Sequence, residues 1–242
     1  MNIISSESRT VKTKSGPLVF TLERKQIKNI NLRIRHDGQI YVSASPNTPI
    51  KLIDDFVSAK HEYIINAVNG FKQIEQKASD MKYVSGENVT LLGKNLRLNI
   101  VKDSMEYVSC DGIYITIHAK RPEYFNRKKN LLNRWINDRC NTVFAEIIKE
   151  IHKKFVPYGV GLPNLRIRNM NSRWGSCLPT KGIITLNRRL IEAPKNCIEY
   201  VVYHEFCHFI HPNHSKQFYS LLQVMLPDWK ESKLLLENTI IL

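Results

Sequence analysis

The segment Tyr203-His204-Glu205-Phe206-Cys207-His208, followed by a further histidine at position 214, decides the fold of this chain of 242 residues. It contains the pattern H-E-x-x-H. Residues four apart lie about 40° apart round a helix axis, so His204 and His208 share one face and can bind one metal ion. Glu205 lies about 100° round the axis from His204, which places its carboxylate beside the metal ion, where it can hold and deprotonate a metal-bound water molecule.

A catalytic metal site of this kind needs a third protein ligand, and the sequence offers His211 and His214. His211 is in phase with the helix face, but Pro212 follows it, and the residue before a proline avoids helical dihedrals. We therefore expect the helix to end near His211, and a left-handed Asn213 to turn the chain back so that His214 reaches the ion. The spacing H-E-x-x-H-x5-H is the one that metzincin proteases use, although those have Gly at the position of His211. We prefer His214, and the sequence alone leaves both residues open.

Length and composition are those of a globular protein with one large domain or two smaller ones. Apolar residues make up 43% of the chain, which is enough for a core, and no apolar run approaches the ~20 residues of a membrane span. Met1 to Thr10 is polar and has no signal-peptide pattern. Cysteines are odd in number, five, and form no close pair, which favours a reducing compartment over a disulfide framework. We therefore expect a cytoplasmic protein without a membrane partner.

The net charge of +14 is unevenly spread, because residues 121–195 hold 16 basic and 5 acidic residues. A basic stripe can attract phosphate backbones, so nucleic acid is a candidate partner. Solvation of helix faces explains the same charges, and no recognised nucleic-acid motif accompanies them. The basic side chains in question are predicted to lie on the outer faces of one helix: Lys128, Lys129, Arg134 and Arg139.

The first half of the chain reads as strands around one helix. Residues 17–45 alternate like β-strands, and His36-Asp37-Gly38 predicts a hairpin turn. An apolar stripe from Ile50 to Ile65 predicts one helix. Two further hairpins are predicted between 83 and 118. We therefore predict a β-rich N-terminal region with one long helix over residues 1–118.

Residues 119–242 are predicted to form the metal-binding domain of an α+β protein. The H-E-x-x-H helix is expected to pack on a small sheet. The predicted elements are a long amphipathic helix over 123–155, strands over 165–170 and 182–187, the metal helix, and two short helices over 215–225 and 228–237.

Four segments together resemble the YgjP-like family of zinc-dependent metallopeptidases, relatives of the SprT and WLM groups among the zincins. The segments are Ser172-Arg173-Trp174-Gly175-Ser176-Cys177, Ile184-Thr185-Leu186-Asn187, Tyr200–Glu205 and His211–Ser215. The resemblance implies a zincin-type catalytic domain. It also implies His204, His208 and His214 as zinc ligands and Glu205 as the catalytic carboxylate.

The predicted activity is therefore cleavage of peptide bonds in a protein or peptide substrate by a zinc-activated water, with Glu205 as general base. The strand at 183–187, as an exposed sheet edge, could hold an extended peptide. Two alternatives stay open: a metal-dependent hydrolase of nucleotide phosphoanhydrides, and a protease recruited to DNA. The oxyanion-stabilising residue is not identified, and the candidates are Asn171, Arg173, Tyr203 and Tyr219.

Overall fold

The computed structural model describes residues 3–13, 16–35, 37–170 and 172–239, and for residues 71–80 it describes the backbone alone. The chain forms two compact units, of which one ends at Asp80 and the other begins at Met81. Both units combine strands and helices, which confirms the predicted α+β class.

The first unit is a four-stranded sheet with two helices. Its elements are β1 (Ile3–Thr13), β2 (Gly16–Lys25), β3 (Asn31–Ile34), β4 (Ile40–Ala44), α1 (Ile50–Ala59) and α2 (His61–Asp80). The strand order is β1-β2-β4-β3, with β2 and β4 parallel. β3 and β4 pair antiparallel with Ile34 opposite Ile40, which confirms the predicted hairpin. The core of this unit is made by buried apolar side chains of the sheet and the helices: Leu18, Phe20, Leu22, Ile40, Val42, Ala44, Ile53, Val57 and Ile64.

The sequence missed one strand of this unit, and its prediction of a single helix was wrong. β1 was not predicted, because its side chains are mostly exposed and show no apolar alternation; it is held by pairing with β2 along its whole length. The predicted single helix is two helices, because the chain leaves helical geometry at Lys60, where φ is −99° and ψ is 7°.

The second unit begins with a sheet of the same pairing order. Its strands are β5 (Asn88–Leu91), β6 (Lys94–Lys102), β7 (Tyr107–Cys110) and β8 (Tyr114–Ala119), in the order β5-β6-β8-β7. The two predicted hairpins are present as antiparallel pairs. In the second hairpin the Asp111 carboxylate accepts hydrogen bonds from the backbone N–H groups of Ile113 and Tyr114, and Gly112 takes a φ of +92°. This turn therefore depends on both residues of the Asp-Gly step.

The rest of the second unit contains a long helix, a small sheet and three shorter helices. These elements are α3 (Phe125–Phe155), β9 (Asn164–Arg168), β10 (Gly175–Leu178), β11 (Ile183–Asn187), α4 (Lys195–Cys207), α5 (Lys216–Met225) and α6 (Trp229–Thr239). The sheet order is β10-β11-β9, with β11 antiparallel to β10 and parallel to β9. The prediction that 183–187 is a sheet edge was wrong, because β11 is the central strand and β10, which was not predicted as a strand, lies at the edge.

One hydrophobic core runs through the second unit from Val89 to Leu236 and includes side chains of β5, β6 and β8 together with those of α3, α4 and α5. The strands before residue 119 therefore share their core with the metal helix, whereas the sequence placed a boundary between 118 and 119. That residues 119–242 suffice as a metallopeptidase domain stays a prediction.

Candidate metal centre

The helix α4 that carries the H-E-x-x-H pattern begins against the turn of the β5–β6 hairpin. Pro194 precedes its first residue, and the Pro194 carbonyl accepts the first helical hydrogen bonds. A Cβ atom at Gly93 in the hairpin turn would lie 2.8 Å from the Pro194 ring, so glycine is needed for this approach. The N–H groups of Leu92 and Gly93 donate to the carbonyls of Ile191 and Glu192. This contact fixes where the metal helix starts.

The helix ends earlier than the sequence predicted. Cys207 is its last residue, and one tightened turn continues to His211, whose N–H donates to the Cys207 carbonyl at 2.9 Å. The prediction of a left-handed Asn213 was wrong, since positive φ among the described non-glycine residues is confined to Tyr83 and Leu92. The chain returns instead through an irregular segment that ends at the N-cap of α5, where the Ser215 hydroxyl accepts a hydrogen bond from the N–H of Phe218.

This course brings three imidazoles together. Ligand atoms of His204, His208 and His214 all lie within 4.8 Å of one another, and among the described residues no other set of His, Cys, Asp or Glu is grouped in this way. The two Nε2 atoms of His204 and His214 are 2.9 Å apart. His211 contributes its backbone carbonyl, which faces Nδ1 of His208 at 3.3 Å. The geometry thus groups the predicted His214, and not the His211 ring, with the histidines of the helix.

The three histidines are suited to bind a cation as neutral ligands. Burial and the neighbouring His208 and His214 lower the pKa of His204 to about 3, and burial lowers the pKa of His208 as well. When Nδ1 of His208 donates its proton to the His211 carbonyl, the lone pair is left on Nε2. Nδ1 of His204 is buried and has no hydrogen-bond partner among the described residues. One proton shared between two of these imidazoles leaves the lone pair of the third without a partner. A metal ion would accept the lone pairs of all three.

Glu205 is buried beside this group, with only 5% of its surface exposed. Its Oε2 atom has no hydrogen-bond partner among the described residues, and burial raises the pKa of its carboxyl group to about 8, against a smaller opposing effect of Arg173. A Cβ atom at Gly175 would lie 2.5 Å from Oε1 of Glu205 and 2.8 Å from its Cγ. Only glycine at this position of the edge strand β10 leaves room for the carboxylate.

The loop that leads into β10 is held by one buried amide. Asn187, the last residue of β11, is fully buried, and its Nδ2 donates to the carbonyls of Met170 and Arg173 at 2.7 and 3.1 Å. Its backbone N–H donates to the carbonyl of Trp174 at 2.8 Å. These bonds place Gly175 against Glu205. Asn187 and Gly175 both stand in the segments that carry the family resemblance, but nothing in the sequence shows that they act on the position of Glu205.

The four candidates for oxyanion stabilisation differ in their burial and in their distance from the site. Tyr203 is buried and packs on α3, with its ring centroid 6.3 Å from that of Phe155. Tyr219 is 41% exposed and stacks on His214 with a centroid distance of 6.1 Å. Arg173 is exposed and close enough to act on the pKa of Glu205. Asn171 lies outside the described residues. Of the candidates that the structure describes, Tyr219 and Arg173 are therefore the two at the site.

The basic residues of α3 do not all face outward as predicted. Lys128 is buried with 7% of its surface exposed, whereas Lys129 and Arg134 are exposed and Arg139 is half-buried. The prediction for Lys128 was wrong, because this residue is one of the buried residues of α3. The outer face of α3 carries fewer of these charges than the sequence suggested.

The three histidines of this mixed α+β unit could hold a metal ion, and the buried Glu205 follows the first of them in sequence. The comparisons identify the class of the protein. The family model described as YgjP-like, metallopeptidase domain, matches residues 28–239, and the chain belongs to this family. It is therefore a metallopeptidase, a peptidase-type hydrolase, and the family implies a metal ion.

Among solved structures, the metallopeptidase zymogen jannalysin of Methanocaldococcus jannaschii is similar at 21% identity and a TM-score of 0.34, over 39% of this chain and 94% of that chain. A comparison with curated proteins gave no match. Over the described residues, no helix has both the length and the apolar character needed to cross a membrane.

Proposed function

We propose that the protein is a zinc metallopeptidase that cleaves peptide bonds, with His204, His208 and His214 as metal ligands and Glu205 as general base. The observation that carries the proposal is the convergence of three imidazoles beside a buried, unpartnered carboxylate. A structural zinc site has four protein ligands and no need of a base, whereas a catalytic one has three ligands and an open position.

The donor set fits zinc. Zinc is bound by imidazole nitrogens, and a ligating histidine commonly donates its other ring N–H to a carbonyl, as His208 can do to His211. When bound by three neutral imidazoles, zinc would supply a Lewis acid that polarises a carbonyl and lowers the pKa of a water molecule toward about 7. The lowered pKa values of His204 and His208 mean that these two ligands are already unprotonated at neutral pH.

Glu205 performs the proton transfers in this proposal. In the metal-free protein, burial raises the pKa of the Glu205 carboxyl group to about 8, which makes its ionised form a stronger base than an exposed carboxylate. A bound zinc ion nearby would favour the ionised form, which is the form that accepts a proton. The free Oε2 of Glu205 can accept the proton of the attacking water molecule and return it to the leaving amine nitrogen. Gly175 and the loop held by Asn187 keep the carboxylate at this position.

An extended peptide would bind along β10. Among the described strands β10 pairs with β11 alone, so its other side could accept an added strand. Since Gly175 at the start of β10 lies against Glu205, a peptide paired with β10 would pass close to the carboxylate. This proposal replaces the predicted role of the 183–187 strand.

The test compares zinc-loaded wild-type protein with the Glu205→Gln variant on a peptide library and a nucleotide panel. We expect peptide cleavage that chelation removes, zinc restores and the variant lacks, together with equal zinc content in both proteins. Hydrolysis of nucleotides without cleavage of peptides would contradict the proposal, and so would full peptide cleavage by the variant.

A further inference from the structure

We infer that Phe218 of α5 is a positioning residue for the metal centre, because its ring supports all three imidazoles at once and sets how tightly the site binds its ion. The inference rests on the proposed function. Phe218 is neither a ligand nor part of the H-E-x-x-H pattern.

The geometry is unusually regular. The ring centroids of the three histidines form a triangle with sides of 5.0 Å (His204 to His208), 4.8 Å (His204 to His214) and 4.7 Å (His208 to His214). The ring of Phe218 lies 4.9 Å from His204 and 4.8 Å from each of the other two. The four rings therefore stand at the corners of a nearly regular tetrahedron. Phe218 covers one face of the triangle formed by the three imidazoles. A metal-bound water molecule or a substrate would therefore approach from the opposite face.

The chain fixes Phe218 through the same turn that brings His214 back. Ser215 follows His214 directly and caps α5 by accepting the N–H of Phe218. Phe218 has no exposed surface. The cap therefore ties His214, the ligand farthest in sequence from α4, to the Phe218 ring that contacts all three ligands.

A second set of rings holds His214 from the side. Tyr219 stacks on His214 with an interplanar angle of 28°, and its ring stacks in turn on Trp229, with centroids 5.5 Å apart. Nε1 of Trp229 donates to Oε1 of Gln223 at 2.9 Å. His214 is exposed and lies in an irregular segment, so these contacts from α5 and α6 restrict a ligand that the metal helix does not hold.

The physical consequence is preorganisation. A ring in contact with three imidazoles limits their rotamers before the ion arrives, so less side-chain entropy is lost on binding. Because Phe218 is fully buried, its ring also excludes water from the side of the imidazoles on which it lies. Leucine at this position is apolar but smaller and not planar, and it cannot contact three rings at once. Outer residues that orient metal ligands through hydrogen bonds are worth about 10- to 100-fold in metal affinity, and we expect a ring that orients three ligands by packing to have an effect of that order.

The experiment compares Phe218→Leu with Phe155→Leu. Phe155 is equally buried, and its ring packs against those of Tyr203 and Phe206, so the same substitution there removes a core ring at another place. The readouts are the Kd for zinc from competition with a chelator, the absorption spectrum of the cobalt(II)-loaded protein, and the melting temperature of the metal-free protein. If Phe218→Leu does not fold, Phe218→Met takes its place, because methionine fills irregular space.

We expect the variant at Phe218 to bind zinc about 10- to 100-fold more weakly and to change the cobalt(II) spectrum. Phe155→Leu should leave both unchanged while it lowers the melting temperature. Unchanged zinc affinity and spectrum at position 218 would overturn the inference, as would equal losses of affinity in the two variants. Absence of zinc binding by the wild-type protein would instead overturn the proposed function, and the inference with it.

Discussion

Replacement of Gly175 by alanine tests whether the position of the Glu205 carboxylate matters. The added methyl group would lie 2.5 Å from Oε1, 2.8 Å from Cγ and 2.9 Å from Cδ of Glu205. Ordinary contact begins at 3.4 Å, so the carboxylate must retreat from 2.5 Å to at least that distance, by about 0.9 Å. Glu205 is only 5% exposed, which leaves little room for the movement. Overpacking of this kind typically costs about 1–3 kcal/mol of stability.

The effect on activity should exceed the effect on stability. A misplacement of about 1 Å in a reacting group can reduce the rate by about 100-fold. We therefore expect kcat/KM of Gly175→Ala for a peptide substrate to fall by about two orders of magnitude. Zinc content should stay unchanged, since the three atoms nearest to the added Cβ all belong to Glu205 and none belongs to a histidine. The assay measures cleavage of one peptide, zinc content and melting temperature on the same preparation.

Gly161→Ala is the matched control, because a Cβ at Gly161 meets no atom within 4 Å and its φ is not in the left-handed region. This variant should keep wild-type activity. Normal cleavage by Gly175→Ala, with a melting temperature that shows the protein to be folded, would refute the argument that glycine is needed to hold the general base in place.

Four further predictions concern the ligands and the proposed base. His214→Ala should lose zinc whereas His211→Ala should retain it, because only the first ring joins the other two imidazoles; the opposite result in elemental analysis would make His211 the third ligand. Glu205→Gln should keep zinc and lose hydrolysis by about 10²- to 10⁴-fold, the usual contribution of general acid–base catalysis, and loss of zinc would show that Glu205 is a ligand. In the metal-free protein, the pKa of Glu205 is higher in the folded state than in the unfolded state, so the free energy of unfolding should fall as pH rises from 4.5 to about 8. Glu205→Gln should remove this fall in a series of thermal melts at different pH. The pKa of His204 is lower in the folded state than in the unfolded state, so the free energy of unfolding should also fall as pH drops below 6.5 toward about 3. A melting temperature that does not change over this acid range would contradict the burial of a neutral imidazole.

Much of the local structure could be predicted because it depends on residues close in sequence. The spacing of His204 and His208 places both on one helix face whatever the surroundings, and the Asp111-Gly112 step makes a hairpin turn through its own carboxylate and its own positive φ. The long helix α3 and the helix after Ser215 were likewise confirmed, since apolar periodicity and a side-chain cap are local signals.

Strand pairing was the first feature that local pattern did not decide. β11 is apolar and reads as a strand, but only its pairing with β9 and β10 shows that it is central and that β10 is the edge. β1 shows the same limit, because its polar side chains give no alternation and it exists through its backbone pairing with β2. The order of strands in a sheet depends on contacts between segments far apart in sequence, so the hydropathy pattern of one strand does not predict it.

The sequence by itself determined the metal-binding pattern, the identity of the proposed base and the family. Tertiary structure alone decided that the ring of His214 and not of His211 joins the group, that Gly175 makes room for Glu205, and that Phe218 lies under three imidazoles. The physical reason is that spacing along one helix fixes the direction of its own side chains, whereas a close approach between elements depends on how all of them pack around one core.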